Sequence, residues 1–230
     1  MQQSRILREL DVGHGFSTAL AGDAKDPQVR SRLLQDARIK APLATARQVH
    51  GRTAVWRPGD GPEPEADALL ARRGQAVGIF TADCVPILLV DPEARLVAAV
   101  HAGWRGTFAG VVTAAVEALL QAGARAASLR ASLGPRIGAC CYVVGDDLAS
   151  RFDARFGSGV SVRDDRPGPR LDLGFANRAL LLEAGVLPDH VELLSDCTAC
   201  AEDGEGRPGY FSYRRDKELA GRQLSFISLP

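Results

Sequence analysis

Residues 81–107 read TADCVPILLVDPEARLVAAVHAGWRGT. Two apolar runs of strand length, VPILLV (85–90) and RLVAAV (95–100), flank the turn signal DPEA (91–94). Asp91 suits the first position of a type I turn and Pro92 the second. Folded symmetrically about that turn, the runs form an antiparallel hairpin in which Val90 faces Arg95 and Cys84 faces His101. Directly opposed side chains share a face, with Cβ atoms about 4.5–5.5 Å apart, a separation that suits two ligands of one metal ion. A slip of one residue would turn one of them to the other face. A buried thiol beside a hydrogen-bonded histidine is the competing reading, and the pair alone does not separate the two.

Working outward, the hydrophobic period changes after His101. Thr107 is placed to cap a helix through FAGVVTAAVEALLQAG, with apolar residues at 111, 112, 115, 116, 119 and 120 and Gly123 as its stop. On the other side, QAVGIF (75–80) reads as a strand. LATARQVHGRTAVWRPGDG reads as a strand, a turn near His50–Gly51 and a second short strand. DPQVRSRLLQDARI (26–39) reads as a helix begun at Asp26 with Pro27 in its first turn, and PGDGPEPE (58–65) as a surface loop. Further along, SLRASLG is a short strand and GPRIGACCYVVG a glycine-bounded loop and strand. DDLASRFDARFG and LDLGFANRALLLEAGV are helices, while HVELL and GRQLSFISL are strands. Strands and helices mix without regular alternation, which predicts an α+β fold of mixed β-sheets flanked by helices, with residues 1–230 as one domain.

Bulk numbers narrow the function. Twenty-eight basic and 28 acidic residues cancel, so charge gives no reason to expect a nucleic-acid partner. The start, MQQSRILREL, has no apolar segment of a secretory signal, and no apolar run approaches the roughly 18 residues of a membrane span. Five cysteines, with Cys140 and Cys141 adjacent, make a poor disulfide framework and fit a reducing cytosol. A cytoplasmic protein, monomeric or weakly self-associating, is the expectation.

HVELLSDCTAC holds His190-x-Glu192 followed by Cys197-x-x-Cys200, the pieces of a zinc nucleobase deaminase. The spacing argues against that site, because too few residues separate the two halves to open two helices, and Asp196 stands where proline is expected. A lone Cys-x-x-Cys is also short of the four ligands of structural zinc, so loop or small buried thiols are the expectation there. His190 reads as a surface residue and His14, in GHGFST, as a residue able to line a site. His50 is the more informative histidine. It abuts Gly51, which permits close backbone approach, and with Cys84 and His101 it makes a His₂Cys set. Three protein ligands and one open position is the plan of a catalytic zinc site. HAGWRGT adds a glycine-flanked helix start where Arg105 can grip an anion, although neither the Walker nor the Rossmann spacing is present.

Together GHGFST (13–18), QVHG (48–51), ADALLA (66–71), GIFTADCVPILLVD (78–91), AAVHAGWRGT (98–107), LGPRIGACCYVVG (133–145) and YFSYRRDKELAGR (210–222) resemble the YfiH-like, laccase-domain family. They run in the family's order over most of the chain. The resemblance implies the YfiH-like fold and a metal, zinc or alternatively copper, on His50, Cys84 and His101. It implies phosphorolysis of adenosine, inosine and S-methyl-5′-thioadenosine with phosphate, and a second activity as an adenosine deaminase. The chain departs from the family at ALAGDAKD (19–26), which is short and has Ala19 in place of an arginine, at Val143, and at Ala220. These departures bear on substrate preference and leave the metal ligands intact.

For these reactions the sequence nominates Cys84 and His101 at the metal, Asp83 as proton carrier, and Arg47, Arg105 and Arg214 as anion binders. Tyr142 and Tyr213 are placed to stack on a base. Asp83 has a second reading, as a residue that orients a ligand or caps a turn. Three other classes stay open: a copper polyphenol oxidase, a hydrolase using Cys84 or Cys141 as nucleophile, and a factor editing cell-wall precursors. One His₂Cys set falls short of the several coppers of a true laccase.

Overall fold

The structure is a computed structural model that describes residues 1–57 and 62–230. In chain order its strands are β1 (Gly13–Phe16), β2 (Leu43–Ala44), β3 (Ala54–Trp56), β4 (Ala68–Arg72), β5 (Ala76–Thr81), β6 (Val85–Asp91), β7 (Leu96–Ala102), β8 (Arg130–Leu133), β9 (Ser161–Val162), β10 (Arg170–Leu171), β11 (Val191–Leu193) and β12 (Gln223–Ser228). Its helices are α1 (Arg5–Arg8), α2 (Pro27–Asp36), α3 (Trp104–Ala109), α4 (Val111–Gln121), α5 (Asp146–Phe156), α6 (Leu173–Glu183) and α7 (Tyr213–Asp216). Six strands form one sheet in the order β11-β8-β6-β7-β4-β3, and four form another, β1-β12-β5-β2. Both mix parallel and antiparallel pairs, so the expected α+β architecture is present.

The central hairpin explains the layering. Along β6 and β7, Ile87, Leu89, Ala98 and Val100 pack with Val112, Val116 and Leu180 of the helices. The alternate residues Leu88, Val90, Val97 and Ala99 pack with Ile79 and Ile227 of the other sheet. Each strand is therefore covered on both faces, and this is why the sequence there is a continuous apolar run rather than an alternating one. On the far side of the four-stranded sheet, Val29 and Leu33 of α2 cover Phe80, Leu224 and Phe226. The result is helix, sheet, sheet, helix. The α2 start is as expected, with the Asp26 carboxylate accepting the Gln28 N–H at 2.8 Å. Among the described residues no helix is long and apolar enough to cross a membrane.

The structure corrects several boundaries. The hairpin pairs Asp91 with Leu96 and Pro86 with His101, a shift of two residues from the symmetric fold. Asp91 remains in the ladder because its Oδ1 accepts the N–H groups of Glu93 (2.9 Å) and Ala94 (3.0 Å), and Arg95 turns the chain at φ 57°. The turn is thus 92–95. An even shift preserves the face of every side chain, so Cys84 and His101 remain neighbours, now diagonal. The helix expected from Thr107 begins earlier, capped at Gly103, and breaks at Gly110, whose φ of 84° is left-handed. Thr107 is instead buried, its Oγ accepting from Asn177 Nδ2 at 2.9 Å. The segment 134–145 forms loop rather than strand, with single bridges at Arg136–Cys197 and Val143–Arg170 and isolated backbone hydrogen bonds such as Gly134 N–H to the Pro86 carbonyl of β6 at 2.9 Å. The strand expected to end at His50 is confined to β2, and His50 lies in a bend with φ 59°. Of the loop expected at 58–65, residues 58–61 lie outside the described residues.

Candidate metal centre

His50, Cys84 and His101 converge at one end of the hairpin, with a ring nitrogen or sulfur of each within 4.8 Å of the others. Cys84 immediately precedes β6, His101 is near the end of β7, and His50 reaches in from its bend, its ring edge-on to His101 at 4.8 Å between centroids. Two imidazoles and a thiol form a borderline-soft donor set suited to zinc or copper. The backbone is shaped around these donors. A Cβ on Gly103 would stand 3.0 Å from Cys84 Sγ and 3.1 Å from His50 Cδ2, so a side chain there would push into the ligands. The residues fit a metal.

Asp67, at the entry to β4, organises the set. It is fully buried. Its Oδ1 accepts the His101 Nδ1–H at 2.8 Å and the His50 N–H at 2.9 Å, and its Oδ2 accepts the N–H groups of Gly51 (2.7 Å) and Val49 (3.3 Å). One carboxylate thereby fixes the His101 tautomer, leaving Nε2 as the free donor atom, and imposes the left-handed bend that presents His50. A carboxylate behind a histidine is the usual outer support of a metal ligand. Burial alone would push the Asp67 carboxyl up. The His101 hydrogen bond and the Gly51 and His50 N–H groups outweigh it and hold the carboxyl below its ordinary value.

The same opposition sets the ligands. Burial works against the Cys84 thiolate, but the His101 charge and hydrogen bonds from both imidazoles bring the thiol down to about 6. Burial likewise disfavours charged His101, but the Cys84 thiolate and the Asp67 hydrogen bond raise it to about 9. The site is prepared to hold a thiolate, the form that ligates metal.

A cavity of about 1100 Å³ opens over the three candidate donors. Of the residues nominated from sequence, Arg47, Asp83, Tyr142, Tyr213 and Arg214 all line it. Arg214 lies over the Tyr142 ring at 5.1 Å and donates to the Val143 carbonyl at 2.9 Å. Arg47 is paired with Glu65. Arg105 does not line the cavity. Because the helix begins early, its guanidinium lies 4.5 Å over Trp104 and is exposed. Asp83 sits at φ 89°, and its two oxygens accept the Thr198 hydroxyl (2.7 Å) and the Arg214 N–H (2.6 Å). Lys25, Lys217 and Arg222 also line the cavity. None of these three stood out in sequence, and neither did Asp67, whose only signal was an acid directly before the apolar run Ala68–Ala71.

The remaining histidines are structural. His14 is buried, its Nδ1 donating to Val12 O at 2.8 Å and its Nε2 accepting the Ser4 N–H at 2.9 Å. His190 Nδ1 accepts from Arg130 at 2.7 Å, and Glu192 accepts from Ser4 Oγ. The pieces of the apparent deaminase motif are thus engaged elsewhere.

Residues 20–230 match the family described as multi-copper polyphenol oxidoreductase laccase. A purine nucleoside phosphorylase of Deinococcus radiodurans is 36% identical over 240 residues, which cover 96% of this chain and 90% of that protein. Adenosine deaminase RL5, from an unknown prokaryotic organism, is 38% identical over 80% of this chain and 74% of its own length. Among solved structures, the hypothetical protein YfiH of Bacillus licheniformis superposes with a TM-score of 0.83 at 28% identity, covering 97% of this chain and 94% of that one.

Proposed function

The chain belongs to the multi-copper polyphenol oxidoreductase laccase family of YfiH-like proteins, and on that premise we propose that it is a metal-dependent purine nucleoside phosphorylase acting on adenosine, inosine and S-methyl-5′-thioadenosine. The observation that carries this reading is the His50–Cys84–His101 set, with three donors and, among the described residues, no fourth, at the base of a cavity whose walls include Lys25, Arg47, Arg214, Lys217 and Arg222. When bound, zinc (or copper) supplies Lewis-acid polarisation of a substrate oxygen. Residues 1–230 act as one enzyme domain in this reading.

In phosphorolysis a phosphate oxygen bonds to the sugar C1′, the C1′–N bond to the purine breaks, and the departing base takes a proton. The cationic wall binds the attacking anion and stabilises charge as it moves. Lys25, in the segment where the chain departs from the family, is one of the cations lining the cavity and is suited to bind the phosphate. Tyr142 and Tyr213 offer stacking faces to the base. Asp83 carries the proton. Each of its oxygens already accepts one hydrogen bond and keeps a second lone pair for the substrate.

Deamination of adenosine is the second reading, favoured by the same three-donor set beside Asp83 and by the name of the RL5 relative. There water adds at C6 and ammonia leaves. The test is product analysis by mass spectrometry with adenosine and inosine, with and without phosphate. Phosphate-dependent adenine or hypoxanthine with ribose 1-phosphate supports the phosphorylase. Inosine formed from adenosine without phosphate supports the deaminase. Turnover of neither refutes both.

A further inference from the structure

Four of the five cysteines gather outside the catalytic set. Cys140 and Cys141 come from the loop after β8, Cys197 and Cys200 from the loop after β11, and their sulfurs all lie within 4.8 Å of one another. Cys140 Sγ and Cys200 Sγ are 3.7 Å apart. A disulfide needs about 2.05 Å. The edge of a tetrahedron with metal–sulfur bonds of about 2.3 Å is about 3.8 Å. The observed spacing therefore matches co-ligands of one ion rather than a cross-link.

The backbone is shaped around these sulfurs, with two N–H groups aimed at Cys197. Cys197 Sγ accepts the N–H of Gly138 at 3.2 Å and also that of Ala199, two residues along the Cys197-x-x-Cys200 turn. Donors held on a sulfur favour its charged form. Gly138 lets the loops close, since a Cβ there would stand 3.2 Å from Cys140 Sγ and 3.5 Å from Cys197 Cβ. Four thiolates around a divalent cation leave two negative charges, and arginines surround the cluster. Half-buried Arg136 interacts with Cys197 electrostatically, Arg166 donates to the Cys140 carbonyl at 3.4 Å, and Arg215 donates to the carbonyls of Thr198 (3.2 Å) and Ala199 (3.3 Å).

We propose that Cys140, Cys141, Cys197 and Cys200 bind a second zinc ion, distinct from the one at His50, Cys84 and His101. Four sulfur donors close the coordination sphere, so this ion is structural rather than catalytic. Binding releases the thiol protons to solvent as the four metal–sulfur bonds form. The ion clamps the loop after β8, which lines the cavity through Ile137, Tyr142 and Val143, to the loop after β11, which backs it. Thr198, beside Cys197, holds the Asp83 carboxylate. The Ile137 N–H donates to the Asp83 carbonyl at 2.9 Å, and Tyr142, beside Cys141, lines the cavity. A stapled pair of loops would thus fix Asp83 and Tyr142 relative to the first metal.

The experiment is a metal count by mass spectrometry on the full chain, purified without chelator and dialysed free of loose ions. The wild-type chain is expected to hold two zinc ions, His101→Ala one, and the double variant Cys140→Ser/Cys200→Ser one. In His101→Ala, replacing zinc by cobalt should give the strong thiolate-to-cobalt charge-transfer and intense visible bands of a tetrahedral sulfur site. These readouts are independent of nucleoside turnover, and the His101→Ala count holds even if the cysteine double variant fails to fold. A metal-free His101→Ala protein, iron in place of zinc, or a mass lower by two hydrogens from a disulfide among these cysteines would each overturn the proposal.

Discussion

Asp67→Asn isolates the support behind the candidate metal donors. The carboxylate accepts four N–H donors, two on each oxygen. An asparagine keeps one oxygen. If that oxygen stays with His101 and His50, the amide NH₂ confronts the N–H groups of Gly51 and Val49, and two donors lose their acceptor. At ~1–3 kcal/mol for each unsatisfied buried group, the two together should cost the metal-free protein ~2–6 kcal/mol, or ~4–24 °C of Tm for a chain of this size. The bend presenting His50 loosens, and His101 loses the negative charge behind its ring. Loss of such a support weakens metal binding by about 10–100-fold, equivalent to ~1.4–2.8 kcal/mol. Competition against a chromophoric chelator reads the affinity, and urea denaturation in the presence of a strong chelator reads the stability. Affinity within twofold of wild type, with the protein folded, would refute the assignment of Asp67 as the organiser of the site.

Three further outcomes follow from the geometry. Gly103→Ala meets no conformational penalty, because φ is −72° there, yet its methyl group would press on Cys84 and His50. It should lose metal affinity by about tenfold or more through overpacking of ~1–3 kcal/mol, read by the same competition assay, while keeping its fold by circular dichroism. In chelator-stripped protein, a thiolate absorbance step near pH 6 should be present in wild type and absent in Cys84→Ser. The folded Cys84 value lies below its unfolded one, so its stabilising contribution is present above about 8.5 and is lost as pH falls through about 6. His101 runs the other way, its contribution present below about 6.5 and lost as pH rises through about 9. The two slopes oppose between about pH 6.5 and 8.5, so metal-free stability should be level across that window with respect to this pair. Lys25→Ala should raise the KM for phosphate roughly fivefold, as removal of a partly solvated charge contact worth ~1 kcal/mol predicts, with metal content unchanged. Unaltered phosphate dependence would remove Lys25 from the anion site.

The central hairpin and the proximity of Cys84 to His101 were legible in sequence because they depend on short-range features: strand-length apolar runs, a turn signal, and a thiol and an imidazole at the strand ends. The register was displaced because the Asp91 side chain captures two turn amides and holds its own backbone in the ladder. That effect preserves parity, and so the ligand pairing survived a wrong count. Gly110 was hidden inside an apolar helical period, and its left-handed backbone divides what reads as one helix into two. Asp67 was invisible as a support because its partners lie in a distant bend and a later strand, meeting only when β4 pairs with β7. The cysteine cluster failed for the same reason. Cys197-x-x-Cys200 is half a site by spacing, and the loop carrying Cys140 and Cys141 is brought alongside by the parallel pairing of β8 with β11.

The most direct test of the central claim pairs two readouts on one variant, His101→Ala: metal retained at the catalytic site and purine nucleoside turnover. Loss of that metal equivalent together with phosphate-dependent product, in a protein that remains folded, is the predicted result. Full activity in a His101→Ala protein lacking metal at that site would contradict it.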